Sequence, residues 1–236
     1  MKRSGFSLVE LLVAMIIIGI LAALILPALG AARNRAKEAV CRSEISGLET
    51  AVVRFASEHG HFPPSGIVLC EKGSDWPSFP QDMAKIREIW PQYDFTQDVD
   101  INQNGVIDSF VQLSGPECMV FFLGGVVNQK VPMGFSKNAR TPFAAGGNRT
   151  GNIFEFDMTR FTDMNQNGYK EYRDPLGAAD ADPYCYYSSY DGNGYDKNDF
   201  VVLHTHVFMP YLTSATATVT MPWKQQSFQI VAPGWD

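Results

Sequence analysis

Two stretches of this chain place oxygen-bearing side chains at alternate positions and then a glycine. The first is Asp100-Ile101-Asn102-Gln103-Asn104-Gly105, the second Asp163-Met164-Asn165-Gln166-Asn167-Gly168. Alternate oxygens followed by a sharp turn wrap a backbone around a hard cation, and later carboxylates close the shell. In the second stretch the Tyr169 carbonyl falls at the seventh position, Glu171 at the ninth and Asp174 at the twelfth. The first-choice ligand set is therefore Asp163, Asn165, Asn167, Tyr169, Glu171 and Asp174, and an all-oxygen set selects Ca2+. The first stretch offers Asp100, Asn102, Asn104, the Val106 carbonyl and Asp108 as a second choice. Val111 stands at its twelfth position, so Asp98 or a distant residue must supply a closing carboxylate. The competing reading is two polar turns whose Asn and Asp side chains cap their own backbone.

Other site chemistry is sparse. His59/His61 and His204/His206 are alternate-residue pairs, which share a face on a strand and could begin a zinc site. Neither pair has an evident third ligand or a nearby general base. No nucleophile motif, phosphate loop or dinucleotide fingerprint occurs. Four cysteines, Cys41, Cys70, Cys118 and Cys185, are too few for a disulfide scaffold. The pairing considered is Cys70 with Cys118, against free buried thiols.

These groups must be carried by a chain of 236 residues with 45% hydrophobic residues and a formal charge of −6. That length gives a sizeable core, and the charge argues against nucleic acid as the main partner. The charge is unevenly spread. Residues 1–58 hold seven basic and five acidic side chains, and residues 59–236 hold twelve and twenty, so the two parts carry +2 and −8. Phe6 to Leu29 is apolar apart from Ser7, Glu10, Gly19 and Pro27. At about 1.5 Å per residue such a helix spans a bilayer. Lys2 and Arg3 favour a cytoplasmic start. Beyond it, residues 30–60 continue as an amphipathic helix, with Val40, Ile45, Leu48, Val52 and Phe55 as the stripe that packs on the rest of the molecule. Gly60, with Pro63 and Pro64 just after it, is the expected stop.

Glu10 is out of place in such a segment, because a lone ionised carboxylate in hydrocarbon costs several kcal/mol. Its neighbours explain it. Gly5-Phe6-Ser7-Leu8-Val9-Glu10 resembles the processing site of type IV pilins and of the pseudopilins of type II secretion. The resemblance implies a leader over residues 1–5, cleavage by a prepilin peptidase between Gly5 and Phe6, and methylation of the new amino terminus. It also implies that Glu10 meets the Phe6 amine of a neighbouring copy during assembly, and that the helix kinks or melts at Pro27.

Residues 61–236 read as an extracytoplasmic globular domain of short strands and long loops. Met119–Leu123, 200–203, 206–209, 213–221 and 227–231 are expected strands, and 84–90 a short helix. The expected class is α+β, with a long amino-terminal helix packed on a small antiparallel sheet. Asp174-Pro175-Leu176-Gly177, Pro183-Tyr184-Cys185-Tyr186 and the Gly/Asp-rich run 188–199 are similar in order to the end of major pseudopilins. That similarity implies a third calcium loop with Asp191, Asn193, Asp196 and Asp199. The 163–174 stretch resembles the loops of dockerins and EF-hands, with Asp174 where glutamate is usual. Together these resemblances imply a filament subunit, most like a major pseudopilin of type II secretion. It would be held in the bacterial inner membrane by one span, with its domain in the periplasm. Its expected partners are further copies of itself, the prepilin peptidase, an assembly ATPase and a platform membrane protein. The alternatives are a surface pilin or minor tip subunit that binds a surface or cargo, and a membrane-anchored zinc enzyme built on the histidine pairs.

Overall fold

The computed structural model describes residues 8–128, 131–176, 182–190, 192, 194–196, 201–203, 206–216 and 219–234. Gly5, Phe6, Asp191, Asn193, Asp199 and His204 lie outside the described residues.

A helix of 52 residues, α1 (Leu8–His59), runs unbroken past Pro27. It stops at Gly60, which adopts φ +85° while its N–H donates to the Ala56 carbonyl at 2.8 Å. A left-handed residue there satisfies one of the last free carbonyls, and glycine takes that conformation without a Cβ clash. Only the second half of α1 is covered. Cys41, Leu48, Ala51, Val52 and Phe55 are buried, with Ile45 packed alongside. Cys41, Leu48 and Phe55 are seven apart and lie on one face; Val40, about 100° round the helix from Cys41, is 50% exposed and leaves the expected stripe.

After α1 the chain alternates short antiparallel pairs with loops. β1 (Ile67–Cys70) precedes a two-turn 3-10 segment, Gly73–Ser78, and α2 (Pro80–Ile89). β2 (Phe110–Leu113) returns to pair with β1, Ile67 opposite Leu113 and Cys70 opposite Phe110. The first oxygen-rich loop lies within this excursion. Next comes α3 (Gly115–Gly124), where a strand was expected over Met119–Leu123. Its start explains the difference: the Ser114 N–H and hydroxyl both donate to Glu117 Oε2 at 2.6 Å, and Pro116 occupies the first turn. A capping box with proline at the start outweighs the strand preference of Val120, Phe121 and Phe122. All of α3 is buried, so its sequence shows no amphipathic period to read. A Cβ on Gly115 would meet the Tyr186 carbonyl oxygen at 2.0 Å, which is how closely α3 approaches the strand behind it.

β3 (Val127–Asn128) pairs with β4 (Val131–Pro132). β5 (Phe161–Thr162) pairs with β6 (Glu171–Tyr172), and the hairpin between them holds the second oxygen-rich loop. β7 (Cys185–Ser188) passes beneath α3 and pairs with β12 (Phe228–Val231), Cys185 opposite Val231. Between them lie two hairpins, β8 (Val201–Leu203) with β9 (His206–Phe208), and β10 (Leu212–Thr216) with β11 (Val219–Pro222). The single strand expected over 213–221 is thus a hairpin. Among the described residues the strands form six separate two-stranded ribbons, not one sheet. Such ribbons are marginal alone and gain their stability by packing. Here α3 and the docked half of α1 supply that packing, with an aromatic cluster around Phe55, Trp90, Phe121, Phe122, Phe135 and Phe143.

Candidate functional site

The amino-terminal part of the site is bare helix. Every residue from Leu8 to Lys37 is exposed. The apolar stretch is long enough to cross a membrane, and none of it is buried within the molecule. Glu10 lies in the first turn of α1. Apolar surface of this extent is stable only against lipid or against other apolar helices.

The globular part grips the same helix further along through one carboxylate. Glu44 Oε2 accepts from Arg160 Nη1 at 3.0 Å and from the Tyr184 hydroxyl at 2.9 Å. Glu44 Oε1 accepts from Arg160 Nη2 and from the Tyr172 hydroxyl at 3.3 Å. The Arg160 guanidinium also lies over the Tyr172 ring, 4.3 Å from its centre. Burial works against the Arg160 charge, but the Glu44 hydrogen bond and charge outweigh it and its pKa rises. Burial is the first cause that pushes the Tyr184 phenol up. Nothing in the spacing of residues 44, 160, 172 and 184 foretells this cluster.

The two oxygen-rich loops have equivalent backbones. Gln103 and Gly105 in the first, and Gln166 and Gly168 in the second, all have positive φ. In the first loop Asp100 accepts from Asn104 N–H at 3.2 Å and Gly105 N–H at 2.8 Å. Asn102 Oδ1 accepts from Asn104 N–H, and Asn104 Oδ1 from Val106 N–H. Asp108 Oδ2 accepts from the Asn102 and Asn104 amides at 3.4 and 3.1 Å. A carboxylate absent from the expected set joins them: Glu71, at the end of β1, accepts from Ile101, Asn102 and Asp108 N–H groups at 2.8, 3.1 and 2.8 Å.

The second loop repeats the pattern. Asp163 Oδ2 accepts from Gly168 N–H at 3.2 Å and from Lys170 Nζ at 2.7 Å. Asn165 Oδ1 accepts from Asn167 N–H, and Asn167 Oδ1 from Tyr169 N–H. Glu171 accepts from Met164 N–H at 3.2 Å. The Asn165 and Asn167 amides donate to Glu117 Oε1 at 3.0 and 2.6 Å, a second carboxylate missing from the expected set. Burial, with the neighbouring Glu117 charge next, pushes the Glu171 carboxyl up to about 8. Asp174 stands on the Leu176 and Gly234 N–H groups at 2.8 and 3.2 Å. The Asp163 Oδ1 atom is buried without a hydrogen-bond partner among the described residues, as a cation ligand lacking its ion would be. The donors fit a hard cation. Among the described residues, however, no three His, Cys, Asp or Glu side chains already gather at ligand distance.

Asp196 is the described member of the third expected loop, and it is exposed. The histidines point to separate neighbours: His59 packs on Phe55 and Trp90, while His61 stacks on Tyr190. All four cysteines are buried and none forms a disulfide, so Cys70 and Cys118 are not bridged to each other. Burial pushes the Cys70 and Cys185 thiols up to about 12, which makes them inert.

Comparison with known proteins finds similarity at the amino terminus. The prokaryotic N-terminal methylation motif matches residues 1–26, the segment that contains Gly5, Phe6 and Glu10. The chain is then similar to the type II secretion system core protein G of Escherichia coli, 36% identical over 62 residues, which are 26% of this chain and 43% of that protein. The proteins of the same name from Pseudomonas aeruginosa and Aeromonas hydrophila are 32% and 34% identical over 62 residues, again 26% of this chain and 44% and 43% of theirs. The match thus spans less than half of these relatives. It relates the chain to type IV pilin-like pseudopilins. No solved structure gives a significant match.

Proposed function

We infer that this protein is a structural subunit of a pilus-like filament, of the pseudopilus kind used in type II secretion, built from a membrane-inserted precursor. The observation that carries the reading is the methylation motif over residues 1–26 joined to an apolar helix left bare by its own domain. Removal of residues 1–5 creates a positive amine on Phe6. In a bundle of such helices that amine lies beside Glu10 of a neighbouring copy, and the opposite charges offset the desolvation each would suffer alone. The helices then leave lipid for one another, and the acidic domain stays in water on the periplasmic side. The peptidase, platform protein and ATPase would do the chemistry and supply the force; this subunit's role is mechanical. The oxygen-rich loops hold calcium in this reading, supported by the repeated spacing and the orphaned Asp163 oxygen.

Mass spectrometry of the assembled protein tests it. The expected chain starts at N-methyl-Phe6, and Gly5→Val leaves the precursor uncut. Filaments made of chains that still begin at Met1 would overturn the reading.

A further inference from the structure

The two oxygen-rich loops sit side by side. A Cβ on Gly168 of the second would lie 3.2 Å from the Asn102 amide of the first. Each loop is served by three carboxylates in the same three roles, although they do not yet converge at ligand distance. One stands at its first position, Asp100 or Asp163. One takes the amides of its third and fifth positions, Asp108 in the first loop and Glu117 in the second. One takes the N–H of its second position, Glu71 in the first loop and Glu171 in the second. Each loop therefore supplies two of its three carboxylates and borrows the third, from the residue just after β1 or from α3.

Glu71, Glu117 and Glu171 are 0%, 1% and 2% exposed. Among the described residues, Lys170 on Asp163 is the one cation within ion-pair distance of any of the six carboxylates. Carboxylates buried this fully are normally paired with cations or bound to metals. A separate observation points into the same place. Tyr169 is 5% exposed, and its hydroxyl has no hydrogen-bond partner among the described residues. With Asn102 and Glu117 it lines a cavity of about 10 Å³, close to the volume that holds one bound water. A buried phenol without a partner, beside Asn102 of the first loop and Glu117 of the second set, thus marks a polar cavity between the two loops.

We propose that loops 100–108 and 163–171 form two adjacent Ca2+ sites, the first closed by Glu71 and the second by Glu117. This rests on the reading of the loops as calcium sites and names the ligands that their own sequences lack. Asp174 is held by the carboxy-terminal segment, which leaves Glu117 as the closing group of the second site. The Asn102, Asn104, Asn165 and Asn167 amides donate to Asp108 and Glu117, and an amide turned over would offer a cation its oxygen instead. No sulfur or imidazole belongs to either set, so hard divalent ions are selected over zinc or copper.

Calorimetric titration of CaCl2 into the chelator-stripped full chain in detergent tests this. The wild type is expected to bind at least two equivalents. Glu71→Gln and Glu117→Gln are each expected to weaken one of them by about tenfold or more while sparing the other. Melting in chelator checks that the variants fold. Tyrosine-sensitised terbium luminescence of the wild type, lost in Tyr169→Phe, gives a readout that does not depend on either glutamate variant. Calcium binding that is unchanged in both glutamate variants would overturn the closing roles and leave the loops as calcium sites. A wild-type chain that binds no calcium would overturn both.

Discussion

Replacing Glu44 by Gln removes a charge and almost no volume from the point where the domain grips its helix. The carboxylate accepts two bonds from Arg160 and one from each of Tyr172 and Tyr184. Breaking a fully buried pair costs about 3–5 kcal/mol. Here Arg160 and Glu44 side chains are 18% and 19% exposed, so water recovers part of the loss, and we take about 2–3 kcal/mol. For a chain of this size about 1 kcal/mol corresponds to about 2–4 °C, so the melting midpoint should fall by about 5–10 °C. The assay is thermal melting of the full chain in detergent by circular dichroism. Arg160→Gln completes a double-mutant cycle, and the two changes together should cost clearly less than their sum. Glu49→Gln is the control, since its contact with Lys224 is 4.0 Å long and half exposed. A Glu44→Gln midpoint within 1 °C of the wild type, or strict additivity with Arg160→Gln, would refute the account of this contact as the anchor of the helix.

Three other outcomes follow. Glu10→Ala should insert and be trimmed after Gly5 but should polymerise poorly; wild-type filament yield would remove the charge-pairing role. Burial lowers the pKa of His59 from its ordinary 6.5. The unfolded chain then takes up the proton first, so stability should be lost as pH falls from about 6.5 toward the folded value. His59→Phe should flatten that dependence, and an unchanged pH profile would show another group responsible. Calcium at about a hundred times its dissociation constant should stabilise the chain by about 2.7 kcal/mol per site relative to chelator. Superimposed melting curves would end the calcium reading.

The features legible in the sequence were those set by neighbours along the chain. The bare apolar stretch, the stop at Gly60, the α2 segment, and the strands at 201–203, 206–208 and 228–231 all follow from local pattern. The sequence of α3 reads as a strand because complete burial erases its period, although Ser114-Gly115-Pro116-Glu117 carries a helix-start signal. Reading 213–221 as one strand missed the reversal that pairs Leu212 with Pro222. The two oxygen-rich loops were visible because each is contiguous. Glu71 and Glu117 were not, since Glu71 lies 30 residues before Ile101 and Glu117 lies 48 before Asn165. Glu44 meets its arginine across 116 positions, and no spacing rule reaches that far.

The stretch between the last apolar residue of the span, Leu29, and the first buried one, Cys41, is uncovered helix that carries Arg33, Arg35, Lys37 and Glu38. At 1.5 Å per residue its eleven positions make a post of about 16 Å. The polar layer on one side of a bilayer takes up only about 5–8 Å of that. In the proposed membrane-held precursor this post would lift the head about 8–11 Å clear of that polar layer, so that the exposed Arg33, Arg35 and Lys37 side chains are what an adjoining stalk would meet first.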